Sequence, residues 1–281
     1  GKAGSRRRRP GTARRRPATP SRSPRRGGRG RFPKGDGMTR LGIVLDGFAW
    51  VRESRRRRDP DPVACAHLAV LAGADLVTVH LRADRRHVQD RDLELLRRSC
   101  PAPLNLRVST NAEMVRTACE HKPDLTTLVP ERQDEVAIES GLDAVLHQDP
   151  IRRAALGLRE AGLAVNVVVE PEIEQIKAAA RGGCGGVELW TGRFARAADA
   201  RIRGQEIGRL AEAAKAGRAL ELRVAVGGGL GFEEVAAIGA IPQIETVHVG
   251  HALVARAALV GLDRAVRDLK AVLERAAGTG S

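Results

Sequence analysis

The sequence predicts a closed (β/α)8 barrel of the TIM-barrel class. Three observations carry that prediction. Eight short apolar runs recur between residues 41 and 249, each followed by a segment of helical pattern. The runs are continuous rather than alternating, as strands buried on both faces are. No glycine fingerprint for a dinucleotide follows the first strand, which disfavours the open doubly wound sheet that would otherwise fit.

The elements follow in order. Leu41–Leu45 is a strand ending at Asp46-Gly47, and Pro60–Leu71 a helix with Asp59 or Asp61 at its start and Gly73 closing it. Ala74–His80 is the second strand, and Gln89–Ser99 a helix burying Leu93, Leu95 and Leu96. Pro103–Val108 is the third strand, with a helix from Asn111 to Glu120 capped by Thr110 or Asn111. Asp124–Val129 is the fourth; a poorly patterned connection from Arg132 to Gln148 precedes a helix over Ile151–Ala161, stopped by Gly162. Leu163–Val169 is the fifth, with a helix over Glu172–Ala180. Gly186–Trp190 is the sixth, with a long helix from Ala197 to Ala216 stopped by Gly217. Leu220–Val226 is the seventh, running into Gly227-Gly228-Gly229 and a helix over Phe232–Ile238. Ile244–Val249 is the eighth, followed by Gly250-His251 and helices over Ala252–Leu259 and Leu262–Ala276.

Charge divides the chain in two. Residues 1–40 hold 15 of the 48 Lys and Arg and a single acid, Asp36, whereas the rest is balanced. That segment of Arg, Pro, Gly and Ser cannot bury a core and is expected to be disordered, leaving residues 41–281 as the barrel domain. Two readings of the tail stand side by side. It offers a cationic surface to nucleic acid, without the aromatics that stack on bases. Alternatively it is not a native module, since the first Met is Met38 and ordered pattern begins at Leu41. It resembles a transit peptide in composition but lacks the amphipathic pattern. No apolar run suits a membrane span, so no membrane partner is expected. Cys65, Cys100, Cys119 and Cys184 lack metal-type spacing and read as free thiols of a cytoplasmic protein. No metal is expected.

In a barrel, chemistry lies where strands end. Those ends present Asp46, His80 with Arg82, Arg107, Glu131, Glu188, Gly227–Gly229 and Gly250-His251. His80 opens a loop dense in charge that also carries His87; it is either a proton-transfer group or a satisfied histidine at the core edge. The glycine turns after the seventh and eighth strands suit a phosphate through backbone N–H groups, or are simply tight turns. Glu188 lies in an apolar strand and needs compensation. Either Arg107 pairs with it across the mouth, or it positions charge developing on a substrate. Trp190 forms a wall of the pocket or part of the core.

The chain from Leu41 to Leu273 resembles the pyridoxine 5′-phosphate synthase family. The stretches that carry the resemblance are LGIVLDG, DPDPVACAHLAVLAGADLVTVHLRADRRHVQDRDLELLR, PLNLRV, LVPERQDEV, EQIKAAA, GVELWTGRFA, LRVAVGGGLGFEEV and VHVGHALVARAALVGL. The resemblance implies a (β/α)8 barrel, usually an octamer, that needs no metal or organic cofactor. It implies condensation of 3-amino-2-oxopropyl phosphate with 1-deoxy-D-xylulose 5-phosphate, closing the pyridine ring of vitamin B6 and releasing phosphate and water. It assigns His80 as a general base and Glu188 as a group stabilising the transition state. It assigns Arg82, His87 and Asp46 to the deoxyxylulose phosphate, Arg55 to a phosphate, and Gly229, Gly250 and His251 to the phosphate cradle.

Six positions depart from the family's pattern. Val44 stands for an Asn, Gly47 for a His, Arg107 for a second general base (a Glu), Ala137 for a Thr, Gly228 for a proton-donating His, and Trp190 for a His. Arg cannot act as a base. Three expectations therefore remain open: a working synthase with substitute groups, for which His248 and Glu131 are the nearby candidates; a paralogue that binds a phosphorylated small molecule without closing a ring, Arg107 favouring a more anionic ligand; or a nucleic-acid binder that uses the barrel as a scaffold for its tail.

Overall fold

The computed structural model describes Gly1 and residues 39–132 and 138–278. Residues 2–38 of the basic segment, and Ala137, therefore lie outside the described residues, while Arg40 already belongs to the barrel. Eight parallel strands close on themselves in sequence order. They are β1 (Arg40–Val44), β2 (Leu76–His80), β3 (Leu104–Val108), β4 (Leu125–Leu128), β5 (Ala164–Val169), β6 (Gly186–Trp190), β7 (Arg223–Gly227) and β8 (Thr246–Val249). The helices are α1 (Asp46–Ser54), α2 (Pro62–Leu71), α3 (Asp90–Ser99), α4 (Ala112–His121), α5 (Gln148–Glu160), α6 (Ile173–Arg181), α7 (Gly192–Ala195), α8 (Ala200–Ala219), α9 (Phe232–Gly239), α10 (His251–Val260) and α11 (Leu262–Gly278). No helix among the described residues is long and apolar enough to cross a membrane.

Strand alternation produces two interiors. One set of side chains, such as Ile43, Val77, Val79, Leu106, Val167, Val187, Val224 and Val247, joins the helices' apolar faces in a continuous aliphatic core. The other set points into the lumen, and there the barrel is polar. Thr78, His80, Asn105, Arg107, Thr127, Asn166, Glu188, Thr246 and His248 are all buried. Leu76, Leu125 and Ala164, each first in its strand, form a separate apolar cluster that closes the lumen toward the strands' amino ends. The large cavity of the polar lumen lies toward the carboxyl ends.

Helix starts follow local chemistry. Asp61 and Asn111 cap α2 and α4 by accepting from Val63 N and Glu113 N, at 2.8 and 2.9 Å. Several bounds shift by two or three residues, as where Leu220, read as the start of the seventh strand, caps the end of α8 and β7 begins at Arg223, but two helices differ in substance. The long helix before β7 starts at Ala200, where Asp199 accepts from Ile202 N, and the preceding residues form the separate turn α7. Gly217 does not stop α8 but lies buried inside it, where an added Cβ would sit 2.9 Å from Val224 Cγ2. The other difference is α1, a helix the sequence reading left out. It buries Arg52 beside Phe48 and Ala49, so its inward stripe contains a cation. Asp92 on α3 makes that burial tolerable, accepting from Nη1 and Nη2 of Arg52 at 2.8 and 2.7 Å.

Candidate active site

A cavity of about 480 Å³ opens at the carboxyl ends of the strands. Its wall includes Asp46, Trp50, His80, His87, Arg107, Trp190, Gly228–Leu230, His248, Gly250 and His251. β1 and β2 supply the first corner. Asp46 Oδ1 accepts from the backbone N of His80 at 2.8 Å, locking the two strand ends together. Burial raises the Asp46 carboxyl above its ordinary pKa, against the opposing pull of His87, the His80 N–H and Arg107.

His80 ends β2 with its ring fully enclosed, and Nε2 has no hydrogen-bond partner. Burial holds its pKa well below the usual imidazole value, with His87, Arg107 and Arg82 adding to the shift. His80 is therefore a neutral imidazole whose Nε2 is buried and unpartnered. The His87 ring lies 5.8 Å away, with Trp50 edge-on to it at 5.4 Å. His87 Nδ1 accepts from Val88 N at 2.7 Å, so any proton on this ring is on Nε2. Burial lowers its pKa too, opposed by Asp46. Arg52 donates to the His87 carbonyl at 3.0 Å and so pins the loop that carries this ring to α1.

Across the lumen, Arg107 Nη2 donates to Glu188 Oε1 at 2.5 Å. Both are buried, so the pair meets the compensation that Glu188 requires. It also cancels most of the charge that Arg107 would bring to the cavity, which removes the expected bias toward a more anionic ligand. His248 lies beside the pair, and its pKa is lowered to about 4 by burial, with Arg107 and Arg40 adding and Glu188 opposing.

The glycine turns form the far wall. No side chain caps α10, whose first turn begins at Gly250-His251. The first turn of α9 carries Glu233 and Glu234, and Glu234 accepts from Gly231 N at 3.0 Å, whereas the first turn of α10 has no acid. Of the two helix starts, α10 is the one left for an anion.

The remaining residues singled out from the sequence sit elsewhere. Arg55 caps the end of α1, is exposed and does not line the cavity. Arg82 is buried but turned away, donating to the Arg132 carbonyl at 2.8 Å and pairing with Asp84. Glu131 accepts from Ala83 N at 3.0 Å and is not part of the cavity wall, so of the two candidate substitutes only His248 faces the cavity. The sequence reading missed Trp50 and Ile138 as wall residues. Trp50 carried a signal, being one of only two Trp in the chain. Ile138 follows a patternless stretch and carried none.

Trp190 explains the loss of a side chain at position 228. An added Cβ on Gly228 would lie 2.4 Å from Trp190 Cε3 and Cζ3, and the backbone there has φ +116°. Replacing Gly228 by Ala is expected to destabilise the fold by about 2–3 kcal/mol, from strain and overpacking together. Thermal denaturation measures this, and a loss below about 1 kcal/mol would show that the indole moves aside freely.

Comparison with known proteins is consistent along the whole barrel. Residues 41–275 match the family model described as "Pyridoxal phosphate biosynthesis protein PdxJ". The pyridoxine 5′-phosphate synthase of Geotalea daltonii is 45% identical over 232 residues, covering 83% of this chain and 97% of the relative. That of Trichlorobacter lovleyi is 43% identical over 238 residues, covering 85% of this chain and 100% of the relative. Among solved structures, KGPDC from Streptococcus mutans superposes with a TM-score of 0.59 at 13% identity, covering 85% of this chain and 98% of that one. At that identity the likeness concerns the barrel alone.

Proposed function

Because the chain belongs to the family of pyridoxal phosphate biosynthesis protein PdxJ, we propose that it acts as a pyridoxine 5′-phosphate synthase of vitamin B6 biosynthesis. In this reading it condenses 3-amino-2-oxopropyl phosphate with 1-deoxy-D-xylulose 5-phosphate in the cytoplasm. One observation carries the reading: a single cavity is lined both by His80, whose Nε2 has no partner, and by the uncapped start of α10. The first is a neutral base in a desolvated wall; the second is a set of backbone N–H groups suited to phosphate.

The roles follow from these positions. A phosphate rests on the N–H groups of Gly229, Gly250 and His251. His80 removes a proton through Nε2, held in place by its backbone link to Asp46. Asp46 and His87 contact the hydroxyls of the sugar phosphate from the same corner. Glu188 acts through the groups it holds, since Arg107 separates it from the cavity wall. Arg82 joins the phosphate only by leaving its contacts with Arg132 and Asp84. The largely exposed apolar side chains Leu71 and Leu259 support the homo-oligomer that this reading implies.

The test uses the purified full chain with both substrates, following ring product and released phosphate together. The chain has two Trp and no Tyr, and both Trp line the cavity, so its intrinsic emission reports this site. We expect product formation, and a saturable change in emission with 1-deoxy-D-xylulose 5-phosphate alone. Saturable emission change without product would mean a binding barrel that no longer closes the ring. Neither signal would overturn both readings.

A further inference from the structure

The cavity contains a polar side chain that the roles above do not use. His248 on β8 reaches across β1 to Thr78 on β2, with Nδ1 3.1 Å from Thr78 Oγ1. Gly42 on β1 makes this reach feasible, because an added Cβ there would lie 2.6 Å from His248 Nδ1. Gly227 does the same on the other side. A Cβ there would meet Glu188 Oε1 at 2.4 Å and His248 Cβ at 3.2 Å. Two strands thus lack side chains where His248 and Glu188 need the space.

Hydrogen-bond direction can be followed through this cluster. Thr127 Oγ1 donates to Asn105 Oδ1 at 2.8 Å, which turns the amide nitrogen of Asn105 toward Thr78 Oγ1 at 3.3 Å. Thr78 Oγ1 receives that N–H, and among the described residues His248 Nδ1 is the one acceptor within reach of its own proton, so the hydroxyl donates to Nδ1. Nδ1 is then the acceptor and Nε2 carries the hydrogen. A second observation agrees. His248 Nε2 lies 3.9 Å from Glu188 Oε2, a buried carboxylate oxygen with no hydrogen-bond partner. At 3.9 Å the two do not hydrogen-bond, so the carboxylate favours an N–H over a bare lone pair on Nε2 without taking up that hydrogen.

We propose that His248 is a fixed hydrogen-bond donor of the reaction pocket, presenting Nε2–H to an oxygen of the bound substrate, and that Thr127, Asn105 and Thr78 set its tautomer. The proposal rests on the synthase reading for the identity of the substrate, but not for the tautomer. His248 stays uncharged above about pH 4, so it donates without competing for the proton that His80 removes. Such a donor in a desolvated wall stabilises an oxyanion as carbonyl additions proceed. It also answers how the pocket functions with Gly at position 228: the donor comes from the neighbouring strand.

Two measurements decide the matter. The first is nitrogen NMR of the full chain carrying 15N-labelled histidine, with His248→Gln identifying the signal. We expect a neutral ring protonated at Nε2 at pH 7. Protonation at Nδ1 would overturn the proposal whether or not the protein turns over. The second is kinetic. His248→Leu should lower kcat by about 10²-fold with KM changed little, while His248→Gln, which keeps an N–H donor, stays within about 10-fold of the parent. Thr78→Val should cost about 10-fold and Thr78→Ser restore the rate, a pattern that loss of packing alone would not give. Leu and Gln variants of equal rate would overturn the donor role, and if His248→Leu does not fold, the Thr78 pair decides it. Absence of turnover by the parent chain would instead refute the synthase reading, leaving the tautomer to the spectra.

Discussion

Replacing Arg107 by Ala is expected to lower folding stability by about 3–5 kcal/mol, the range for breaking one half of a buried ion pair. The reason lies in what is left behind. Glu188 Oε1 loses its 2.5 Å partner, and Oε2 has none already. An isolated carboxylate would then sit in the lumen among Thr, Asn and His side chains. At a cost of a few °C per kcal/mol for a domain of this size, the melting temperature should fall by roughly 10 °C. Removing both charges, as Arg107→Met with Glu188→Leu, should recover most of that loss, because neither ion then has to be desolvated. Denaturant unfolding of the two single variants and the double variant at one protein concentration measures this. A cost below about 1 kcal/mol for Arg107→Ala would mean that water reaches Glu188 and the pair is not a buried one.

Replacing His80 by Ala should reduce kcat by about 10²- to 10⁴-fold, the usual effect of losing a positioned base. Stability should change far less, since the link between β1 and β2 runs through the backbone N–H of residue 80 and survives the change. The pH profile gives a second check. The base must be unprotonated to act, and burial lowers its pKa. The acid limb of kcat/KM should therefore fall below pH 6.5, the ordinary imidazole value, with activity held above it. A variant within 10-fold of the parent rate would remove His80 from the reaction and leave it as a structural residue.

Much of this architecture follows from the chain's own local patterns. A strand buried on both faces reads as a continuous apolar run, and Gly and Pro mark where each run stops. The barrel and the end-of-strand positions of Asp46, His80 and Gly250 follow from that alone, whereas Glu188, read as a strand-end residue, lies in the middle of β6. Thr78, Asn105, Thr127 and Asn166 are single polar residues inside four such runs, which a continuous apolar pattern passes over; the closed barrel brings them together in one lumen.

What remained belonged to three dimensions. Arg52 looks like a surface residue until Asp92, distant in sequence, is placed against it, and with that α1 becomes a helix that packs. Arg107 reads as added charge until Glu188 is found within hydrogen-bond reach across the lumen. Gly228 reads as a lost side chain until the Trp190 ring is seen occupying its space. His248 acquires a direction only through Thr78, Asn105 and Thr127 on three other strands. Periodicity along a chain reports which face of an element is buried. It does not report which residues meet across a closed barrel, and charge cancellation, steric exclusion and tautomer all depend on that distance.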